Sequence, residues 1–190
     1  MCPSYTSSQS ANLQAVNEQK ILSAANKLFL KKGYFNVNIA KIAREAGVSK
    51  GTIYNYFQGK DDILKTLIVN HFSSVDSLKI ELKGKAMIKE YIDSSINSLE
   101  SHCNFLRVVY PLVFFTHSFN YLKDFLLDVT KKQVKSLTKA FDETGAEHPF
   151  GEAALLVTEI DGMNLHYMSV KEKYPLHLFK NILYNRYGFS

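Results

Sequence analysis

From Val16 onward the apolar positions recur with the period of a helix, and no stretch alternates as a half-buried strand does. Ile21, Ala24, Ala25, Leu28 and Phe29 fall on one helical face and predict a first helix over about residues 16–32. Lys31 and Lys32 in its last turn and Gly33 beyond it mark the stop. Ile39, Ile42, Ala43 and Ala46 repeat the pattern over some two turns, with Asn38 able to cap the start and Gly47 to end it. Ser49 caps a third short helix, 50–57, whose inner face is Ile53 and Phe57. After the break at Gln58-Gly59 a fourth opens at Lys60. It has Asp61 and Asp62 in the first turn, where the helix dipole favours anions, and continues through Ile63, Leu64, Leu67 and Ile68.

Past residue 70 the helices lengthen, to about 85–100, 104–116, 119–143, 150–172 and 176–187. Breaks fall at Gly84, His117-Ser118, residues 144–149 and Tyr174-Pro175. The fold class is therefore all-α, with no linker of low complexity, and the fourth helix is expected to run from the front unit into the rear one. Residues 1–17, rich in Ser, Gln and Asn, lack the basic and apolar regions of a signal peptide and read as a flexible arm. The longest apolar run, 108–115, is eight residues with Pro111 inside, far short of the ~20 of a membrane span. A cytoplasmic protein with no membrane partner is expected.

Charge sharpens the division. The 190 residues carry a net +5. Nine cations and four anions lie in residues 1–70, and the rest carry fourteen of each, so the whole excess sits in the first third. Such an excess suits a polyanion bound by the front unit. Cys2 and Cys103 are too few for a disulfide framework or a four-ligand zinc site, and the six histidines show no ligand spacing. No triad order, phosphate-binding glycine loop or pair of catalytic carboxylates stands out, so no cofactor, no metal and no enzymatic activity are expected.

The two short helices joined through Gly47-Val48-Ser49 form a helix-turn-helix pattern, in which the second helix enters the major groove of DNA. Behind the Ser49 cap its outward residues are Lys50, Thr52, Tyr54 and Asn55, and Gly51 lets the backbone come close. Lysine, asparagine and hydroxyl groups are the donors that base edges and phosphates accept from. The run Gly33-Tyr34, then residues 38–57 (NIAKIAREAGVSKGTIYNYF), then Lys60-Asp61-Asp62-Ile63-Leu64 resembles the N-terminal domain of the TetR family of transcriptional regulators. The resemblance covers about 45 residues. It implies a DNA-binding domain over 18–63 and a helical ligand-binding and dimerisation domain over 64–190, in a homodimer closed by the last two long helices. It further implies phosphate contacts from Asn38, Tyr56 and Lys60, and base or backbone contacts from Ser49, Lys50, Gly51, Thr52, Tyr54 and Asn55. Where the family usually has a hydroxyl before helix two, this chain has Val37, so one phosphate contact is lost.

Of the 24 tyrosines and phenylalanines, 17 follow residue 70. Phe105, Tyr110, Phe114, Phe115, Phe119 and Phe125, with Met163 and His166, are the expected lining of an effector pocket, though aromatic stripes also build plain core. Glu159 and Asp161 could meet a cationic ligand if they face inward. Ala153, Leu156, Val157, Ile160, Leu165, Met168, Leu176, Phe179 and Leu183 are interface or core positions of the two dimer helices. The reading is a dimeric repressor that binds a pseudo-palindromic double-stranded operator and is released by a small, hydrophobic or aromatic effector. The alternatives are a ligand-independent architectural DNA-binding protein and a sequestering or catalytic protein with a vestigial front domain.

Overall fold

The computed structural model describes residues 7–76, 82–115 and 119–189. Among these residues there is no strand. Eight α-helices follow in order: α1 (Ser7–Lys32), α2 (Ile39–Ala46), α3 (Lys50–Tyr54), α4 (Lys60–Asp76), α5 (Gly84–Phe115), α6 (Asn120–Glu143), α7 (Pro149–Val170) and α8 (Leu176–Tyr187). A 3-10 turn, Lys171–Lys173, separates the last two. The chain forms two compact units, Met1–Asn70 and His71–Ser190, which divide inside α4.

Two elements differ from the sequence reading. α1 begins at Ser7 rather than near Val16, so residues 7–17 are helical where composition suggested a flexible arm. That segment contains no Gly or Pro and has Ala and Leu among its polar residues, so a helix anchored by its buried second half can extend backward through it. The helices expected at 85–100 and 104–116 are one, because Ser101, His102 and Cys103 break nothing. Ser101 Oγ donates back to the Asn97 carbonyl at 2.8 Å, and Cys103 is buried. Pro111 lies inside α5. The expected break at His117-Ser118 falls outside the described residues.

In the first unit, Ile21, Ala25 and Phe29 of α1, Ile42 of α2, Ile53 of α3, and Ile63, Leu64 and Ile68 of α4 are all buried. Each isoleucine, leucine or phenylalanine so buried stabilises the unit by ~1.5–3 kcal/mol relative to exposure. Val37, at the position that lacks the hydroxyl, is also buried there, so it serves packing instead.

The second unit has its core between Ile88, Ile92, Ile96 and Leu99 of α5, Leu137, Ala140 and Phe141 of α6, and one face of α7. α8 is tied to α5 by a polar knot. Asp93 accepts from Lys89 at 2.8 Å, from Lys180 at 2.6 Å and from the Tyr184 hydroxyl. Burial pushes the Asp93 carboxyl up, but these donors outweigh it and hold the group at about 2.

Of the positions expected as interface or core, this packing takes most into the core. Ala153, Leu156, Val157, Ile160, Met168, Leu176 and Leu183 are all buried in the unit's own core, and Phe179 packs partly against it. Leu165 differs, at 54% exposure. Apolar residues run almost all the way round α7, so its sequence carries no clear sign of which stripe faces inward.

Among the described residues His71 is the buried histidine, 9% exposed, its ring 4.8 Å from that of His102 and 5.2 Å from that of Phe105. Burial, with His102 beside it, lowers its pKa to about 4. Between the ordinary value of about 6.5 and 4, the unfolded chain binds a proton that the folded chain does not, so acid destabilises the fold. Above that window the group is neutral in both states and adds no pH dependence. Urea unfolding at pH 5 should therefore show up to about 2 kcal/mol less stability from this residue than at pH 7, and His71→Phe should flatten that slope.

Candidate nucleic-acid interface

The local chemistry of the front unit aims one short helix outward. Asn38, in extended backbone, accepts from the Lys41 amide at 3.0 Å and so caps α2. Gly47 then takes the left-handed conformation, φ +68°, in which its amide meets the last carbonyls of α2, a turn that a β-carbon would strain. Ser49 caps α3 by accepting from the Thr52 amide at 2.9 Å, and its hydroxyl also pairs with that of Thr52. α3 itself is shorter than expected, ending at Tyr54. Asn55 and Tyr56 form a turn that still carries the Phe57 amide to the Ile53 carbonyl at 2.9 Å.

Ile53, fully buried, and Phe57, 3% exposed, hold this segment on the scaffold. What remains outward is Ser49, Lys50, Gly51, Tyr54 at 58% exposure and Asn55, with Thr52 and Tyr56 half-buried at the flanks and Asn38 exposed at the start of α2. The exposed set is therefore one lysine, amide and hydroxyl donors, and a bare backbone patch at Gly51, all on consecutive turns. The anion nearest in sequence, Glu45, is paired with Lys27 at 2.5 Å, which also lowers its pKa.

Lys60 is placed differently from a free phosphate ligand. Its ammonium donates to the Tyr34 carbonyl at 3.0 Å and the Val37 carbonyl at 2.9 Å and lies 4.0 Å from the Tyr34 ring centre. Partial burial lowers its pKa. The Tyr34 hydroxyl in turn donates to Asp61. The first turn of α4 thus straps the α1–α2 loop that carries Asn38. Lys60→Met keeps the apolar stem on Tyr34 but removes both carbonyl bonds. It should cost about 1–2 kcal/mol in the unfolding of the front unit, read by denaturant titration, and lower affinity for duplex DNA through the misplaced cap.

Sequence reasoning missed Phe35, 68% exposed and edge-on to Tyr34 at 5.5 Å, three residues before Asn38. It lies in a turn, where helical periodicity has nothing to say.

The residues expected around an effector have different surroundings. Phe105 and Phe119 are buried, and Phe125 meets Phe72 at 6.0 Å. Met163 belongs to the core, and His166 is exposed with its ring stacked on Tyr174 at 6.2 Å. The side chains of Phe114 and Phe115 lie outside the described set. Tyr110 is hydrogen-bonded to Asn164 across the α5–α7 contact. Of the two acids on α7, Glu159 pairs with Arg186, while burial pushes the Asp161 carboxyl up to about 6.

A family model described as "Bacterial regulatory proteins, tetR family" matches residues 21–67. The chain is 55% identical over 51 residues to the HTH-type transcriptional regulator HbdR of Aromatoleum sp. (strain CIB), covering 27% of this chain and 22% of that one. It is 38% identical over 72 residues to the fatty acid metabolism regulator protein of Bacillus subtilis (strain 168), covering 37% of each chain. The matched stretches thus span well under two thirds of either relative. Among solved structures, the transcriptional regulator FadR from Bacillus subtilis in complex with stearoyl-CoA superposes with a TM-score of 0.68 at 20% identity, over 89% of this chain and 96% of that one. At that identity the likeness is one of fold, and it extends through both units.

Proposed function

We propose that the chain, whose residues 21–67 match the tetR family of bacterial regulatory proteins, is a ligand-responsive transcriptional repressor acting as a homodimer on a pseudo-palindromic operator. The observation that carries this reading is the doubly capped helix-turn-helix, which leaves Lys50, Gly51, Tyr54 and Asn55 outward while Ile53 and Phe57 are buried. Two such helices, one per subunit, would enter successive major grooves ~34–36 Å apart. The rear unit is the effector domain. The stearoyl-CoA complex of the structurally similar regulator supports a small-molecule site in this architecture. An effector releases the operator by binding the non-binding conformation more tightly, by up to ~5.5 kcal/mol for a complete switch.

The surface left uncovered by the rear core supports the dimer. Leu155 and Leu165 of α7 are 49% and 54% exposed, and Leu178 and Ile182 of α8 are 56% and 46%. Gly162 of α7 has open space where its β-carbon would stand, which lets a second backbone approach closely. Leu165→Arg with Ile182→Arg should convert the dimer to monomer in native mass spectrometry and abolish tight operator binding, while the thermal transition of the monomer stays in place.

The deciding experiment is selection of duplexes from a random pool by the purified protein, with native mass spectrometry of the same sample. A two-fold-symmetric enriched sequence bound by a dimer is the expected result. No enrichment would remove the regulator assignment, and an enriched site insensitive to every co-purifying molecule would favour a ligand-independent architectural role.

A further inference from the structure

We propose that Phe35, at the tip of the α1–α2 turn, is an apolar anchor that packs on a deoxyribose of the duplex backbone, beside the phosphate met by the start of α2. The inference rests on the regulator reading above and adds a contact that is independent of base sequence to its polar interface.

The turn holds the ring in one place. The Val37 amide donates to the Tyr34 carbonyl at 3.2 Å and closes a turn with Phe35 and Asn36 at its centre. Three side chains then fasten it. Lys60 donates to the carbonyls on both sides of the tip, at 3.0 Å to Tyr34 and 2.9 Å to Val37. The Asn36 side-chain amide donates back to the Lys32 carbonyl at 2.9 Å, and the Lys41 ammonium of α2 donates to the Asn36 carbonyl at 2.7 Å. Phe35 stands on this frame, edge-on to the buried Tyr34 at 5.5 Å. A single exposed apolar side chain on a loose loop is ordinary. Here the ring is 68% exposed at a tip whose backbone is bonded on both sides, so little ordering remains when a partner covers it.

The surroundings select the partner. Residues 19–44 contain five lysines, one arginine and no aspartate or glutamate. Lys31 and Lys32, exposed in the last turn of α1, precede the tip, and Asn38, exposed at the start of α2, follows it. Asp61, from the first turn of α4, accepts from the Tyr34 hydroxyl. An apolar ring set among cations and amides calls for a polyanion with apolar edges. The duplex backbone alternates the two, phosphates separated by the carbons of deoxyribose. Asn38 and the amides that open α2 suit the phosphate, and the ring three residues earlier falls on the neighbouring sugar. Every deoxyribose offers the same surface, so the contact raises affinity for any duplex and leaves the choice of sequence to α3.

The test is fluorescence anisotropy of the full-length protein, over a salt series, with the enriched duplex and with an unrelated duplex of equal length. Phe35→Ala should weaken both by the same factor, about tenfold. The slope of log affinity against log salt should not change, because no phosphate contact is lost. The melting temperature should hold, since the ring lies outside the core. Phe35→Leu should recover most of the loss and Phe35→Gln none of it. Wild-type affinity in Phe35→Ala, a loss confined to the enriched duplex, a changed salt slope or recovery by glutamine would overturn the anchor. Equal binding of the enriched duplex by wild type and Phe35→Ala discards the anchor and leaves the regulator, whereas failure of the wild type to bind either duplex discards both. Phosphatidylglycerol vesicles are titrated in parallel. Vesicle binding lost in Phe35→Ala, with duplex affinity intact, would overturn the anchor and assign the ring to a lipid surface.

Discussion

Replacing Lys50 and Tyr54 together by alanine should weaken binding to the enriched duplex by about 2–4 kcal/mol, roughly 30-fold to nearly 1000-fold, at fixed salt. Both side chains leave the same face of α3, Tyr54 at 58% exposure and Lys50 exposed beside the Ser49 cap. Neither contributes to the core, which Ile53 and Phe57 supply, and alanine suits a helix at least as well as either residue. The melting temperature should therefore not fall, and the loss should appear in fluorescence anisotropy alone. If Lys50 meets a phosphate, the slope of log affinity against log salt also drops by about 1 for each subunit's contact. If it meets a base edge, the loss instead depends on the identity of one base pair. Unchanged affinity would remove α3 from the interface.

Leu156→Ala should destabilise the rear unit by about 2–5 kcal/mol, whereas the adjacent Leu155→Ala should leave the stability of the monomer within about 0.5 kcal/mol. Leu156 is fully buried between α7 and the helices it packs on, so truncation removes apolar contact and leaves a cavity. Leu155 is 49% exposed. Its truncation should be felt instead as a rise in the dimer dissociation constant, measured by sedimentation equilibrium over a dilution series. Two leucines next to each other in sequence thus separate core from interface by which experiment responds.

The two units were legible to different degrees. In the front unit nearly every inference came from local chemistry. The caps at Asn38 and Ser49, the left-handed turn at Gly47 and the inward Ile53 and Phe57 each need only a few neighbouring residues, and the structure shows them in those roles. Lys60 is the exception, since its partners Tyr34 and Val37 lie 26 and 23 residues away, beyond what periodicity reports. In the rear unit the helices were legible but their facing was not. A helix such as α7, apolar on several sides, has more than one stripe able to face inward, and only the packed neighbours select among them. Periodicity therefore does not separate Leu165, which is exposed, from Leu156, which is buried, or Glu159, which pairs with Arg186, from Asp161 two positions on.

By itself, then, the sequence determined the all-helical class, the position of the helix-turn-helix and the concentration of the net charge of +5 in its first third. These depend on short-range periodicity, capping and composition, which a linear chain already contains. Tertiary structure alone decided that Lys60 is a strap, that Leu155 rather than Leu156 is exposed, and that Asp93 of α5 gathers donors from α8. Those outcomes follow from which apolar stripe each helix buries against its neighbours, a choice made by packing between segments far apart in the chain.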